Sequence, residues 1–153
     1  MNIPSLAQTD SVAERPRSEP SPPEGDVVAI TLPARLDRVR LLRLVAAGLG
    51  VDADLGVADV EDLRSGVDEL SCLLFAAARP GSLARLRFTV ADGVVAFRAT
   101  VERRPGAPIE PDEVSRLVLD AVTDGYAIEA SAEELQVELV RRRRSGAPQE
   151  PGE

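Results

Sequence analysis

"ARLRFTVADGVVAFRATV", residues 84–101, holds two runs that alternate apolar and polar with a period of two, joined at Ala91-Asp92-Gly93-Val94. That period sends successive side chains to opposite faces of a strand. An Asp-Gly pair supplies the positive φ that a tight two-residue hairpin demands. With Asp92 and Gly93 as the loop, Val90 falls opposite Val95, Phe88 opposite Phe97, Leu86 opposite Ala99 and Ala84 opposite Val101. All four pairs are apolar and share one face, and a slip of one residue would turn that face to water, so the register is specified. The other face carries Arg85, Arg87, Arg98 and Thr100, with Arg87 directly across from Arg98. Such a like-charge pair costs about a few tenths of a kcal/mol unless something neutralises it. Two readings stay open: a patch for an anion or an acidic partner, or neutralisation by Glu129, Gln136 and Glu138 on neighbouring strands.

Working outward, "VVAITL" at 27–32 alternates as a strand, and Pro33 opens "ARLDRVRLLRLVAAGLG". There Leu36, Val39, Leu42, Val45 or Ala46, and Leu49 recur at helical spacing, with Gly48 and Gly50 expected to stop the helix. A second helix is expected from about 59 to 79, buried along Val60, Leu63, Val67, Leu70, Leu74 and Ala77 and ended by "RPG". Beyond the hairpin, a third helix is expected to start at Pro111, with Asp112 and Glu113 in its first turn to suit the macrodipole. Its stripe is Val114, Leu117, Val118, Ala121 and Val122, and Gly125 closes it. "YAIEA" and "LQVELV" form a last hairpin, and Arg141–Arg144 reads as a solvated end to it. The order β-α-α-β-β-α-β-β implies an α/β two-layer sandwich, a mixed and mostly antiparallel sheet with helices on one face. Residues 1–26, rich in Pro and Ser, and 145–153 read as disordered tails around a folded domain at 27–144.

Composition removes whole classes of chemistry. The chain of 153 residues has 18 basic residues, all Arg, and 26 acidic ones, for a net charge of −8. That balance opposes nucleic-acid binding. Lacking His, the chain has no Ser–His or Cys–His nucleophile pair and no histidine metal ligand. Lacking Lys, it has no phosphate-binding lysine and no Schiff base. Cys72, the single cysteine, sits in an apolar helical pattern and reads as a structural thiol. No run is long enough to span a membrane, and "MNIPSLAQTD" does not read as a signal peptide, so a cytoplasmic protein is expected.

The element order, together with "VEDLRSGVDELSCLLF" at 60–75, resembles the anti-sigma regulatory factors of the RsbW/SpoIIAB type, small members of the GHKL (histidine-kinase/Hsp90-like) ATPase superfamily. The resemblance covers about residues 27–142, and the lysine-free, Arg- and Ala-rich composition suggests an actinobacterial source. It implies a Glu-x-x-x-Asn pair on the second helix, the Glu as general base and the Asn as a Mg²⁺ ligand on ATP. The Glu position matches Glu69, a vestigial base; the Asn position is Leu73. A leucine offers no oxygen to a cation that wants octahedral oxygen ligands. The family's Asp-x-Gly-x-Gly turn is matched by "ERRPGAPIEPDE", with Gly106 as its only glycine and no Asp where the motif needs one. No Gly-x-Gly precedes the third helix to hold phosphate.

The resemblance therefore implies an anti-sigma factor that sequesters an RNA polymerase sigma factor by protein–protein binding, without ATP hydrolysis and with no cofactor. Its partners would be the sigma factor, an anti-anti-sigma factor and a second copy in a homodimer, with no nucleic acid and no membrane. The partner surface expected on the first helix is Arg38, Arg40, Leu41, Arg43 and Leu44, an arginine rim around leucines; an ordinary solvated face is the alternative. Two other functions stay open. One is an active serine kinase of an anti-anti-sigma factor, with ATP and Mg²⁺ bound; the other is a scaffold on the same fold that binds no sigma factor.

Overall fold

The computed structural model describes residues 22–145. Of the expected tails, residues 1–21 and 146–153 lie outside the described ones. Strand β1 (Asp26–Pro33) leads through a 3₁₀ turn (Leu36–Arg38) into α1 (Val39–Asp52) and α2 (Val57–Ala76). Then come β2 (Leu83–Ala91), β3 (Val94–Glu102), α3 (Glu113–Val122), β4 (Gly125–Ala130) and β5 (Glu134–Arg142). The sheet runs β1-β2-β3-β5-β4. The α/β sandwich is as expected, and its sheet, expected to be mixed, is antiparallel in every ladder.

The β2–β3 ladder pairs Val90 with Val95, Phe88 with Phe97, Leu86 with Ala99 and Arg87 with Arg98, and Gly93 takes φ +77° in the turn. The inward face packs under α2, whose Leu63, Val67, Leu70 and Leu74 are fully buried. Helix α2 is held on both flanks. On one, a Cβ added to Gly50 of α1 would lie 3.1 Å from Val60 Cγ2. On the other, a Cβ added to Gly66 would lie 3.0 Å from Leu139 Cδ2 and 3.1 Å from Thr123 Cγ2, just past the end of α3.

Several expectations are corrected. Gly48 and Gly50 do not stop α1, which runs on to Asp52 before the chain turns at Asp54 with φ 59°. Gly50 is there because the helices approach closely, not because the helix ends. Leu36 is exposed, since the first turn is 3₁₀ and the buried stripe begins at Val39 and continues through Leu42, Ala46 and Gly50. Pro111 lies before α3, whose N-cap is Asp112: its carboxylate accepts the Ser115 backbone N–H at 2.8 Å. Gly125 opens β4 rather than closing the helix. Leu119 is the buried residue of α3, while Val114 and Leu117 face water, because this helix meets the body along a seam narrower than its apolar stripe.

The run Arg141–Arg144 is not a solvated end. Arg141 is buried and its Nη2 donates to Asp59 Oδ1 at 2.9 Å, while its Nη1 donates to the Val122 carbonyl at 3.2 Å. The Arg144 backbone N–H donates to Asp59 Oδ2 at 3.0 Å, and its guanidinium pairs with Asp62. The Arg143 N–H donates to the Gly93 carbonyl at 2.7 Å. The end of β5 is thereby bolted to the start of α2 and to the β2–β3 turn. Burial pushes the Asp59 carboxyl up, but the Arg144 N–H and the Arg141 guanidinium outweigh it and hold its pKa below the usual aspartate value. Stability from this group is therefore complete above the ordinary aspartate pKa and is lost as pH falls through the depressed one. Asp59→Ala is expected to cost about 3 kcal/mol in urea denaturation, the low end for breaking a buried pair, because Asp62 stays 3.7 Å from Arg141. Asp59→Asn is expected to flatten the acid limb of the stability–pH curve.

Candidate functional site

Seven residues make nearly two helical turns, so Leu73 shares a flank of α2 with Gly66, and Glu69 shares one with Asp62. This is the flank that faces α3. Glu69 and Leu73 are each half-buried there. The spacing expected of a base and a metal ligand is thus presented on one side, but the second position ends in methyl groups.

The chain segment that would have to cradle a nucleotide is folded inward. In the connection from β3 to α3, residues 103–112, Ala107 is buried and Ile109 packs against the core. The Arg104 N–H donates to the Ala77 carbonyl at 2.8 Å and its Nη2 to the Ala76 carbonyl at 2.9 Å. Arg103 Nη2 donates to the Ala107 carbonyl at 3.1 Å. Gly106 takes φ +76° within this turn. The two Arg104 bonds tie the connection to the C-terminal end of α2. Cys72, on the same helix, is half-buried, and burial followed by the nearby Asp68 and Glu69 carboxylates pushes its thiol up, away from nucleophilic use.

The five residues expected at a partner surface do come together. Arg38, Arg40, Leu41, Arg43 and Leu44 line one hollow of about 480 Å³ with Asp37 and Arg64. Leu41 and Leu44 are 45% and 71% exposed, unusual for residues of their size. Arg43 is the arginine with a local role, pairing with Asp68 of α2 at 2.8 Å, and Arg64 donates to Glu61 at 2.9 Å. Arg38 and Arg40 form no ion pair among the described residues. Arg64 was missed from sequence because it comes from the other helix; its place on the α1-facing flank, four residues after Val60, is the signal that could have found it.

The arginines on the outer sheet face divide. Arg98 donates through Nε and Nη2 to Glu138 Oε2, at 3.1 and 2.9 Å, across the β3–β5 ladder. Glu138 is therefore the neutralising partner, and among the described residues Glu129 and Gln136 form no bond to either arginine. Arg87 has no ion pair among the described residues and borders a hollow of about 380 Å³ with Val27, Thr89 and Ala96.

No known protein-family profile matches this sequence, and no curated protein is similar enough to align. A solved structure is similar: the RsbU and RsbW domains of Rv1364c from Mycobacterium tuberculosis, with a TM-score of 0.60 and 16% identity over 76% of this chain and 32% of that one. The chain thus spans about a third of that protein's length. At this identity the likeness concerns the fold alone, an α/β sandwich. No helix among the described residues is long and apolar enough to cross a membrane.

Replacing Glu138 by Gln leaves Arg87 and Arg98 facing each other with no counter-charge. The expected loss is about 1 kcal/mol in chemical denaturation, below the usual worth of a charged hydrogen bond because Arg98 is half exposed to water. Adding Arg87→Thr to that variant is expected to restore part of it.

Proposed function

We propose that this chain is a partner-switching regulator of the anti-sigma type, which holds an RNA polymerase sigma factor by stoichiometric binding and releases it to an anti-anti-sigma partner in the cytoplasm. The observation that carries this reading is the α1 hollow: two leucines exposed side by side, ringed by arginines of which Arg38 and Arg40 have nothing of their own to neutralise. A desolvated apolar centre with a charged rim is how protein interfaces are built. The RsbW domain named in the similar structure supports the same reading.

Nucleotide takes no part in this proposal. Leu73 withholds a metal ligand, and the connection at 103–112 packs Ala107 and Ile109 against the core. Retention of Glu69, half exposed and without a bonded partner among the described residues, is the one observation that favours the kinase alternative.

Co-expression with the sigma factors of its own host, followed by affinity capture, tests the proposal: a 1:1 complex with one of them is expected, and capture of none would refute it. The double variant Arg38→Glu/Arg40→Glu is expected to weaken that complex at least about tenfold, or about 1.4 kcal/mol, with unchanged thermal stability. Calorimetric titration with Mg²⁺-ATP is expected to show no binding, for the wild type and for Leu73→Asn alike, because the mutation restores one ligand and leaves the connection closed. Micromolar binding by the wild type would favour the kinase.

A further inference from the structure

The face of the sheet turned away from α2 is buried in part. Successive ladders set Val27 beside Thr89, Thr89 beside Ala96 and Ala96 beside Val140, one row across β1, β2, β3 and β5. Thr89, Ala96 and Val140 are only 7%, 9% and 4% exposed. The segment ahead of β1 walls them: Pro22, Pro23, Glu24 and Gly25 line, with this row, the hollow of about 380 Å³ that Arg87 borders. Gly25 lets that segment run against β2, since a Cβ on it would lie 2.2 Å from the Val90 carbonyl oxygen. Every side chain in the row is short, so the floor is level and mostly apolar. The volume lies at the lower end of the range for small-molecule sites, about 300–1,000 Å³.

Two polar groups on this surface are left without a partner. Thr89 is more than nine-tenths buried, yet its hydroxyl forms no hydrogen bond among the described residues. Hydroxyls so placed are ordinarily bonded. Arg87, in the next row, has neither an ion pair nor a side-chain hydrogen bond among the described residues. Two carboxylates line the hollow as well. Glu138 is engaged by Arg98 through Oε2, while Glu24 on the wall is exposed and forms no bond to Arg87.

We propose that this hollow binds a small monocarboxylate with a flat apolar body. The body lies on Val27, Ala96 and Val140, beside Pro22 and Pro23. The Arg87 guanidinium takes the carboxylate in a two-bonded pair, and the Thr89 hydroxyl donates to the same group. One negative charge is the limit, because a second would meet Glu24 and Glu138 in a partly dehydrated site. The site lies on the sheet rather than on α1; it goes beyond the proposed function and rests on no part of it.

NMR titration of the full 153-residue chain, isotope-labelled, with sodium β-naphthoate at neutral pH tests the proposal. Saturable shifts are expected at the amides of Thr89, Ala96 and Val140, and none at Leu41 and Leu44 of α1. The uncharged β-naphthamide and the doubly charged β-naphthyl phosphate are each expected to bind at least about tenfold more weakly. Arg87→Gln is expected to weaken naphthoate binding by at least about tenfold. It is expected to melt no lower than the wild type, since it also removes the clash with Arg98. Thr89→Val keeps the shape, deletes the hydroxyl and is expected to weaken binding about threefold. Arg85→Gln, one row along the same face and outside the hollow, is expected to leave binding unchanged. No saturation up to about 10 mM naphthoate overturns the proposal and leaves the hollow to water or to the residues ahead of Pro22. Equal binding of acid and amide, tighter binding of the phosphate, or affinity unmoved by Arg87→Gln overturns it too. Each of these outcomes leaves sigma-factor capture untouched, and failure of that capture leaves this result untouched.

Discussion

Phe88 and Phe97 face each other across the β2–β3 ladder with ring centroids 5.0 Å apart and planes tilted by 40°. Everything else in the sandwich is placed by the register those two rings lock. With Phe88 opposite Phe97, Val95 and Ala99 are forced to the same face, and β5 must bring Val137 and Leu139 beside them. That face is the floor on which α2 lies. The same register forces Arg87 opposite Arg98 on the other side, a mildly unfavourable pairing that the fold accepts and then offsets with Glu138 from β5. The apolar face decides because it is worth far more: burial of one large apolar side chain contributes about 1.5–3 kcal/mol, against about a few tenths for the charge clash.

Period and turn chemistry made the strands legible in the sequence, and the stripe of α2 as well, because each is a local rule read over a few residues. What stayed hidden depended on neighbours distant in sequence. Gly50 looked like a helix stop, since a glycine that permits helix–helix contact and one that ends a helix are the same letter; only the position of Val60 separates them. The apolar stripe of α3 looked like core, since periodicity reports that a helix is amphipathic and not how much of its apolar side finds a partner. Arg141–Arg144 looked like a solvated tail, since Asp59, which binds both Arg141 and Arg144, lies more than 80 residues away in sequence. The five residues expected at a partner surface lie along the 3₁₀ turn and α1 and line one hollow, whereas Arg64, which lines it too, comes from α2 and no local rule points to it.

The α3-facing flank of α2 bears on the proposal that nucleotide takes no part. A cleft for a triphosphate must leave space between α2 and the chain that follows β3, and that space has to be kept open by groups that prefer water or a ligand. Here the connection after β3 carries Ala107 and Ile109 into the core and spends Arg103 and Arg104 on backbone carbonyls. Each of these contacts is favourable in the absence of any ligand. A leucine at position 73 offers apolar surface where the resemblance implies an oxygen ligand. Glu69 survives because a carboxylate at a half-exposed helical position costs little whether or not it has a task.

Charge distribution completes the argument. With a net charge of −8, an arginine in this chain is surrounded by potential partners, and half of the arginines described form an ion pair, among them Arg43 with Asp68, Arg98 with Glu138, Arg116 with Glu110, and Arg141, Arg143 and Arg144 with the aspartates around the start of α2 and the β2–β3 turn. Arg38, at the end of the 3₁₀ turn, and Arg40 of α1 are among those that form none, and they stand beside the exposed Leu41 and Leu44. The fold could have neutralised them as it did Arg43, one turn further along the same helix and reached by Asp68. Asp37 lines the same hollow and interacts with the charge of Arg38, and the positive potential of the arginines around it favours an acidic surface with apolar residues at its centre.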